Sequence, residues 1–479
     1  MSRENRYNNL STRYNLKNLR ELGNDILESI SGTEKDFTKV AIPKAILLLS
    51  IPMILEMIME SVFAIADIFF VSRLGAESIA VVGITESLMT IIYSIGVGLG
   101  TGTMALIARR IGEKRYGQAN HVTLQAILLG VFVSLIIAVP GMLYAHEILI
   151  LMGASIKVAG DGYMYTAIML GSNVVIMLLF IINAAFRSAG DAAVSMRVLW
   201  VANLINIVLD PCFIFGWWIF PELGLKGAAI ATVIGRGSAV VYQFVLLFRG
   251  KKRVKIKGVK WMLELPIIRK LIKLSVGGIG QSLIATSSWI ALVRIIAEFG
   301  SSVLAGYTLA LRLVLFVLLP AFGLSNAAGT LVGQNLGAQQ PVRAEKSVWA
   351  TGIVNMILLG LIALAFIVFP GAFIGFFVDS GEVYQAGILC LRIISYGFVF
   401  YALGMVLVQA FNGAGDTLTP TKINFFCFWL LEIPLAYLLA IGLELNEQGV
   451  YVAILISESM MTLIALLVFR KGKWKLKSI

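Results

Sequence analysis

Twelve long apolar runs, separated by short polar links, are the feature of this sequence that most constrains its fold. Each run is close to or above the roughly 20 residues that a helix needs to cross a bilayer. Lipid offers no partners to backbone N–H and C=O groups, so only helices and closed barrels span it, and barrel strands would alternate apolar with polar residues. With 58% hydrophobic and 14% charged residues, the sequence predicts an all-α polytopic membrane protein.

The predicted spans fall into two groups of six, divided by the longest polar link. The first group is 45–72, 78–107, 121–145, 157–185, 194–217 and 225–248. The second group is 269–298, 303–332, 347–369, 382–411, 420–443 and 450–470. The predicted domains are an N-terminal extension (1–40), a first six-helix lobe (41–248), a basic linker (249–268), a second six-helix lobe (269–470) and a basic tail (471–479).

Lysine and arginine are concentrated in alternate links, which sets the expected orientation. The linker reads RGKKRVKIKGVK from Arg249 to Lys260, and the tail reads RKGKWKLK from Arg470. Links on the opposite side are acidic, for example at Glu147 and Glu222. By the positive-inside rule we expect both termini and the linker to be cytoplasmic, with the protein in the plasma (cell inner) membrane. This topology also explains the net charge of +12, so no nucleic-acid partner is expected.

The two halves are repeats that a shift of 225 residues aligns. LGAESIA from Leu74 lies over FGSSVLA from Phe299, and AFRSAGD from Ala185 lies over AFNGAGD from Ala410. Six spans is an even number, so both halves have the same orientation and the repeat is parallel. We expect the halves to enclose a central cavity, and we expect the third span of each half to differ in length.

Three acids lie in the first apolar run: Glu56, Glu60 and Asp67. A charged side chain near the bilayer centre costs about 2.5–3.5 kcal/mol on insertion scales, so such groups face protein or water. The three acids lie roughly on one helix face. They either form a proton or cation site beside a cavity, or they are structural acids paired with arginines. We take Asp67 as a site candidate, Glu60 as a further candidate and Glu56 as structural.

The fifth span contains a second polar group within its apolar run. Asn206 and Asp210 share a helix face at i, i+4. The predicted topology places Asp67 and Asp210 in the outer half of the bilayer, with Thr232 of the sixth span at similar depth. These oxygens can share a proton or ligate Na⁺, a hard cation that prefers oxygen. The alternative is that Asn206 and Asp210 form a polar pair in helix packing.

The second half does not repeat this chemistry. At the shifted positions Asp67 becomes Leu292, Asn206 becomes Leu431 and Asp210 becomes Leu435. The sequence therefore predicts an asymmetric coupling site, in the first half only.

Catalytic and cofactor motifs do not appear in the sequence. No GxxxxGK[ST] string occurs, so transport would draw on an ion gradient rather than on nucleotide hydrolysis. Neither the two histidines nor the three cysteines have the spacing of a metal site. An intramembrane enzyme would need two facing catalytic acids or a metal triad, and the sequence shows neither. We therefore expect a transporter with no cofactor apart from its coupling ion.

Several strings, in order, resemble the multidrug and toxic compound extrusion (MATE) family over about residues 40–470. They are ADIFFVSRLG at the end of the first span, NIVLDP in the fifth and FNGAGDTLTPT after the tenth. The sequence is similar to the DinF-like branch in particular. The resemblance implies a V-shaped pair of six-helix bundles that exports small organic compounds, often cationic, in exchange for H⁺ or Na⁺. We expect a monomer.

The resemblance also implies roles for individual residues. The implied cation-site and hinge residues are Asp67, Asn206, Asp210, Thr232, Tyr165 and, for a bend in the first span, Pro52. The NorM branch carries a glutamate in its seventh span where this chain has Ala285. A second-lobe cation site of that type is therefore not expected.

A second function remains open at this point: a flippase for lipid-linked oligosaccharides, from the same superfamily. Flippases often line their cavity with cationic side chains. Arg294, Arg312 and Arg392 lie in second-half spans and keep this alternative open.

Overall fold

A computed structural model describes residues 21–33 and 35–479, and the regular structure of these residues is entirely helical. Among them, eleven helices are long and apolar enough to cross a membrane. A pair of helices, Glu382–Ser395 and Phe398–Ala414, meets at 56° and, counted as one bent span, brings the total to twelve. The all-α fold class is confirmed. The first half of the predicted N-terminal extension, residues 1–20, lies outside the described residues.

The spans of the first half extend a few residues beyond most of the predicted apolar runs. In order they are Ile42–Ser72, Ala76–Gly112, Tyr116–Leu143, Ile156–Ala189, Ala192–Phe215 and Leu225–Arg249. Those of the second half are Leu265–Phe299, Ser301–Gly337, Pro341–Val368, the bent pair, Leu418–Gly442 and Asn446–Arg470. The additional described helices are 21–31, Ala145–Leu151, Pro370–Ile374 and the 3₁₀ turn Lys473–Leu476.

Local sequence explains where several of these helices begin and end. Gly190 and Gly415 end the fourth and tenth spans in the left-handed region, at φ of 95° and 83°. Glycine has no Cβ and adopts this conformation without strain. Pro341 is the first residue of the ninth span, where the missing N–H has no intrahelical partner to lose.

Helix bounds repeat across the two halves at the spacing that the sequence predicts. Ala76–Gly112 and Ser301–Gly337 both have 37 residues and begin 225 positions apart. Tyr116–Leu143 and Pro341–Val368 both have 28 residues and are also offset by 225. The expectation that the third spans differ in length was therefore wrong. The polar first turn of each third span is also helical, so the apolar run alone is shorter than the helix.

The fourth and tenth spans break at equivalent positions, but only one of them is strongly bent. Ser172 separates two segments of the fourth span, and Gly397 lies at the break of the tenth, 225 positions later. The 56° bend occurs in the tenth span. The predicted tenth span, 382–411, lies within this bent pair, and an apolar run does not show where a helix changes direction.

The two halves approach most closely near the end that carries the linker, called here the linker side. A Cβ on Gly112 would lie 2.0 Å from the carbonyl oxygen of Gln334, and one on Gly337 would lie 2.2 Å from that of Arg109. These contacts join the ends of the second and eighth spans. Only glycine permits such backbone approach, so Gly112 and Gly337 let the two halves meet at this point.

Residues 35–40 lie on the linker side and join the two halves. The Phe37 side chain is fully buried, and its ring packs against Gly190 of the first half. Arg343 of the second half donates to the Phe37 carbonyl at 3.1 Å and also to that of Val40. This part of the predicted extension is thus packed into the protein.

Residues 473–479 form a second connection on the linker side. Lys475 pairs with Glu345 of the second half at 2.5 Å. Arg109 of the first half donates to the Lys477 carbonyl at 2.5 Å. The basic tail therefore contacts both halves.

Candidate coupling site and central cavity

The fifth and sixth spans cross closely at the predicted coupling residues. A Cβ on Gly235 would lie 2.8 Å from the Ala202 carbonyl oxygen, so glycine is needed where the spans meet. In the amide orientation that satisfies both neighbours, Asn206 donates to Asp210 Oδ2 at 3.0 Å and accepts from Thr232 Oγ1 at 3.2 Å. Asn206 and Asp210 are buried, at 1% and 0% exposure. The structure thus brings these three predicted residues together.

Asp67 and Tyr165 lie beside this group. The carboxylates of Asp67 and Asp210 are close enough to interact electrostatically, across the first and fifth spans. Tyr165 of the fourth span is 3% exposed and lies within electrostatic range of both acids. Asp67 itself is partly exposed. Glu86 of the second span also interacts electrostatically with Asp67, so the first, second, fourth, fifth and sixth spans contribute side chains to this polar cluster.

Arg236 is the functional candidate that the sequence reasoning missed. It lies one helical turn after Thr232 in the sixth span and is 7% exposed. Its guanidinium is 3.7 Å from Glu60 and lies over the Phe63 ring, 5.0 Å from the centroid. It also interacts electrostatically with Asp67. A lone arginine inside an apolar run, at i+4 from a predicted site residue, was the signal that could have revealed it.

The two other acids of the first span are paired with arginines. Glu56 is 1% exposed and accepts from Arg187 of the fourth span at 2.7 Å. Glu60 pairs with Arg236 and accepts from the Asn203 amide at 3.4 Å. For Glu56 this is the arginine-paired arrangement that a structural acid would have. Glu60 differs, because its partner also reaches the Asp67 cluster.

A cavity of about 420 Å³ lies between the two halves. Its apolar wall is rich in methionine and phenylalanine, which include Met53, Met57, Met104, Phe180 and Phe322. Its charged lining consists of the two ion pairs, Glu56 with Arg187 and Glu60 with Arg236. The cavity is therefore lipophilic, with two balanced pairs of charges on its first-half wall.

The cavity and the polar cluster are neighbours that Arg236 connects. Asp67, Asn206, Asp210 and Thr232 do not line the cavity itself, whereas Arg236 does. Arg236 contacts Glu60 at the cavity wall and interacts electrostatically with Asp67 in the cluster. A change of charge at Asp67 therefore changes the electrostatic energy of a side chain that lines the cavity. This arrangement suits a site that couples one binding event to another.

The family is shown by residues 52–212 and 279–438, one stretch in each half, which match the family model MatE. The chain belongs to the MatE family. It is 24% identical over 445 residues to the "Probable multidrug resistance protein NorM" of Thermotoga maritima, covering 91% of this chain and 94% of that protein. It is 26% identical over 420 residues to the "Probable multidrug resistance protein YoeA" of Bacillus subtilis, covering 87% and 90%.

A solved structure gives the same fold. The crystal structure of MATE in complex with MaL6 superposes with a TM-score of 0.87 at 23% identity, covering 92% of this chain and 99% of that one. The predicted MATE family is thus confirmed, and this is a family of transporters rather than enzymes.

The second half of this MatE-family protein has buried acids of its own, at positions that the repeat did not indicate. Glu432 of the eleventh span is 1% exposed, and its Oε2 accepts from Ser288 at 2.5 Å. Glu458 of the twelfth span interacts with it electrostatically. Leu292, Leu431 and Leu435 occupy the positions equivalent to the first-half cluster. The acids therefore lie elsewhere in the fold.

The arginines that kept the flippase alternative open do not line the central cavity. Arg294 is 78% exposed and pairs with Glu298 near the end of its own span. Arg312 and Arg392 are exposed. Among the described residues, the second half therefore contributes no arginine to the central cavity, and the two arginines of the first half are paired with acids.

Pro52 lies inside the continuous first helix, Ile42–Ser72. A proline at this position removes one backbone hydrogen bond and weakens the helix locally. Its neighbour Met53 lines the cavity. A bend here would move the cavity wall, and the hinge stays a prediction.

Proposed function

We propose that this MatE-family protein exports lipophilic organic compounds from the cytoplasm in exchange for protons. The observation that carries the proposal is the connection through Arg236, which places an acidic cluster next to a lipophilic cavity between two repeats. The Thermotoga and Bacillus relatives, both named as probable multidrug resistance proteins, support drug efflux.

Competition for Arg236 is the proposed coupling step. With Asp67 ionised, the guanidinium is attracted by three acids: Glu60, Glu86 of the second span and Asp67. A proton on Asp67 removes one attraction, so Arg236 moves toward Glu60 at the cavity. The first span then bends near Pro52 and the first-half cavity shrinks. Substrate is released on the side away from the linker.

The proton is favoured over Na⁺ by the groups around Asp210. A hard cation needs several oxygen ligands. Asn206 presents its N–H to Asp210, and the Asn206 oxygen is occupied by Thr232. A proton needs only one carboxylate oxygen, so the cluster suits it.

Orientation and location complete the proposal. The basic linker and tail favour a cytoplasmic linker side in the plasma membrane, with both termini cytoplasmic. Since the halves meet on the linker side, the described conformation would be closed to the cytoplasm.

Ala285 in the seventh span, where the NorM branch has glutamate, supports a DinF-like assignment. We further propose that one chain suffices, because the cavity lies between its own halves.

Inverted membrane vesicles loaded under defined gradients test this function. We expect uptake of an ethidium-like dye to follow an imposed pH gradient and to be unaffected by a Na⁺ gradient at constant pH. The exposed Asp161→Asn variant is the matched control for protein level and insertion. Uptake driven by Na⁺ alone would refute the proton assignment, and absence of uptake under both gradients would refute drug export.

A further inference from the structure

A recess of about 650 Å³ opens on the linker side, where the two halves and both terminal segments meet. Its walls include residues 112–115 of the first half and 336–340 of the second, at the ends of the second and eighth spans, and 337–340 are the repeat equivalents of 112–115. Thr38, Lys39 and residues 477–479 complete it. The recess is separate from the central cavity, with which it shares no lining residue.

The lining is strongly cationic. Five basic side chains and one acid face the recess: Lys39, Arg109, Lys114, Arg115, Lys477 and Glu113. Some of these charges have partners, since Glu113 pairs with Arg110 and lies 3.6 Å from Arg115, Asp36 lies 3.9 Å from Lys114 and Asp416 lies 3.0 Å from Lys477. The second half contributes neutral amides, Gln339 and Gln340. Positive charge thus remains in excess.

Arg109 shows that this is more than a basic membrane surface. The positive-inside rule requires lysine and arginine near the surface, but it does not require them to be buried. Arg109 is only 8% exposed, and its Nε has no hydrogen-bond acceptor among the described residues. That Nε is enclosed by protein atoms, so an anion in the recess would be attracted by the charge of the buried guanidinium, and arginine prefers the paired oxygens of carboxylate or phosphate.

We propose that this linker-side recess binds a phosphate-bearing anion that holds the two halves together on that side. Its walls come from both halves and both terminal segments, so the complete site exists only while the halves meet there. A ligand that binds one conformation stabilises it by mass action. The anion would therefore favour the conformation described here and slow the return to the opposite one.

Binding is tested with inorganic pyrophosphate and the purified full-length protein in phosphatidylcholine nanodiscs. We expect pyrophosphate to raise the thermal unfolding temperature saturably, and chloride at equal ionic strength to have no such effect. Lys39→Gln with Lys114→Gln removes two exposed cations of the recess, and Arg109→Gln removes the buried one. Either variant should weaken binding by about tenfold, as expected for lost charge-assisted hydrogen bonds.

The matched control is Lys251→Gln with Lys257→Gln, two exposed linker lysines outside the recess. This control should bind pyrophosphate like the unmodified protein. Equal weakening in the control and in the Lys39–Lys114 variant would overturn the proposal, since the effect would then be general surface charge. Absence of saturable binding to the unmodified protein would overturn it as well.

Nanodiscs containing phosphatidylglycerol identify the source of the phosphate. If pyrophosphate binds equally with and without this lipid, a soluble anion is the occupant. A lipid headgroup occupies the site if phosphatidylglycerol abolishes pyrophosphate binding and raises the thermal unfolding temperature of the unmodified protein but not that of the recess variants. No effect of either compound on any variant would reject both.

Coupling to conformation is tested by spin-label distances at the opposite end of the second and eighth spans. The labels are placed at Ala76→Cys and Ser301→Cys, both exposed, while the three native cysteines are buried. Pyrophosphate should shift the distribution of distances between the two labels toward its longer values, because the halves are held together at the other end. This shift should be smaller in the Lys39–Lys114 variant. Binding without any shift would overturn the conformational role. This test uses no transported compound, so it is independent of the proposed efflux function.

Discussion

Glu60 and Arg236 form an ion pair of 3.7 Å between the first and sixth spans, at the wall of the central cavity. Arg236 also interacts with Asp67, seven residues after Glu60 in the same helix. One guanidinium therefore serves an acid of the cavity and an acid of the proposed coupling cluster. This relationship explains how a proton on one acid could change the shape or charge of the cavity.

The first prediction concerns this pair. Arg236→Gln leaves the partly buried Glu60 without its cation and should destabilise the protein by about 1–2 kcal/mol, less than a fully buried pair that loses one partner. Glu60→Gln should lower efflux only partly, because Arg236 then remains attracted to Asp67. Thermal unfolding in detergent and dye efflux are measured for both single variants and for the double variant.

The double variant decides whether the pair acts as a unit. Glu60→Gln with Arg236→Gln should be more stable than Arg236→Gln alone, since no unpaired charge is left at the cavity wall. Its efflux should no longer respond to the gradient. Additive effects of the two substitutions on stability would contradict an interacting pair.

The second prediction concerns the two aspartates. Asp67→Asn and Asp210→Asn remove the protonatable groups but keep their size, so insertion and folding should be normal. Gradient-driven efflux should fall to the rate of vesicles that lack the protein. Efflux is compared at matched protein level. If the Asp67→Asn variant exports at the rate of the unmodified protein, the proposed mechanism is wrong.

Substitutions at the repeat-related positions are the controls for this second prediction. Leu292→Met and Leu435→Met keep the volume of their side chains, so each should cost less than about 1.5 kcal/mol in stability. Both should export at the normal rate under the same gradient. Loss of coupling in either would place part of the mechanism in the second half.

The repeat explains how much of the fold could be predicted. Apolar runs reveal spans because the bilayer forces each run into a helix. A common shift of 225 residues then identified which helices of the two halves are equivalent, such as Ala76–Gly112 and Ser301–Gly337. The predicted site residues Asn206, Asp210 and Thr232 do meet in space. Their helix faces and depths followed from spacing and topology alone.

Other features depend on contacts between distant parts of the chain, which periodicity does not encode. Arg236 was missed because its importance comes from Glu60 and Asp67 on another span. The burial of Phe37 between the halves could not be read from a polar N-terminal stretch. The 56° bend of the tenth span likewise depends on packing.

The third prediction tests orientation by cysteine labelling in intact cells. Glu222→Cys should be modified by an impermeant reagent from outside, and Lys255→Cys should be protected. Both positions are exposed, and the three native cysteines are buried, so background labelling should be low. Strong external labelling at position 255 would reverse the assigned topology.

The fourth prediction concerns the substrate. Expression in a host without its own drug pumps should raise tolerance to ethidium-like dyes. Phe180→Ala and Phe322→Ala remove aromatic wall from the cavity and should reduce that tolerance, because cation–π and apolar contacts are lost. Phe376→Ala, at an 86% exposed position outside the cavity, is the control. Unchanged tolerance with an altered cell-surface glycan would instead favour a flippase.

The last prediction asks whether the buried acids of the second half take part in coupling. Ser288 Oγ lies 3.1 Å from the Phe428 carbonyl oxygen and 2.5 Å from Glu432 Oε2. A hydroxyl has one proton, so it cannot donate fully to both acceptors. The amide of a glutamine at position 432 can itself donate to Ser288, which frees the hydroxyl for the carbonyl.

Glu432→Gln should therefore fold normally and retain gradient-driven efflux, as expected if coupling belongs to the first half only. Glu432→Leu removes the polar partner of Ser288 and should cost about 1–3 kcal/mol in stability, without abolishing coupling in the folded fraction. Efflux under a pH gradient and thermal unfolding are measured for both variants. If Glu432→Gln instead loses its response to the gradient while remaining fully folded, the coupling chemistry extends to the second half. The asymmetric mechanism would then be wrong, because a neutral isostere keeps the packing and a hydrogen bond to Ser288 and removes the exchangeable proton.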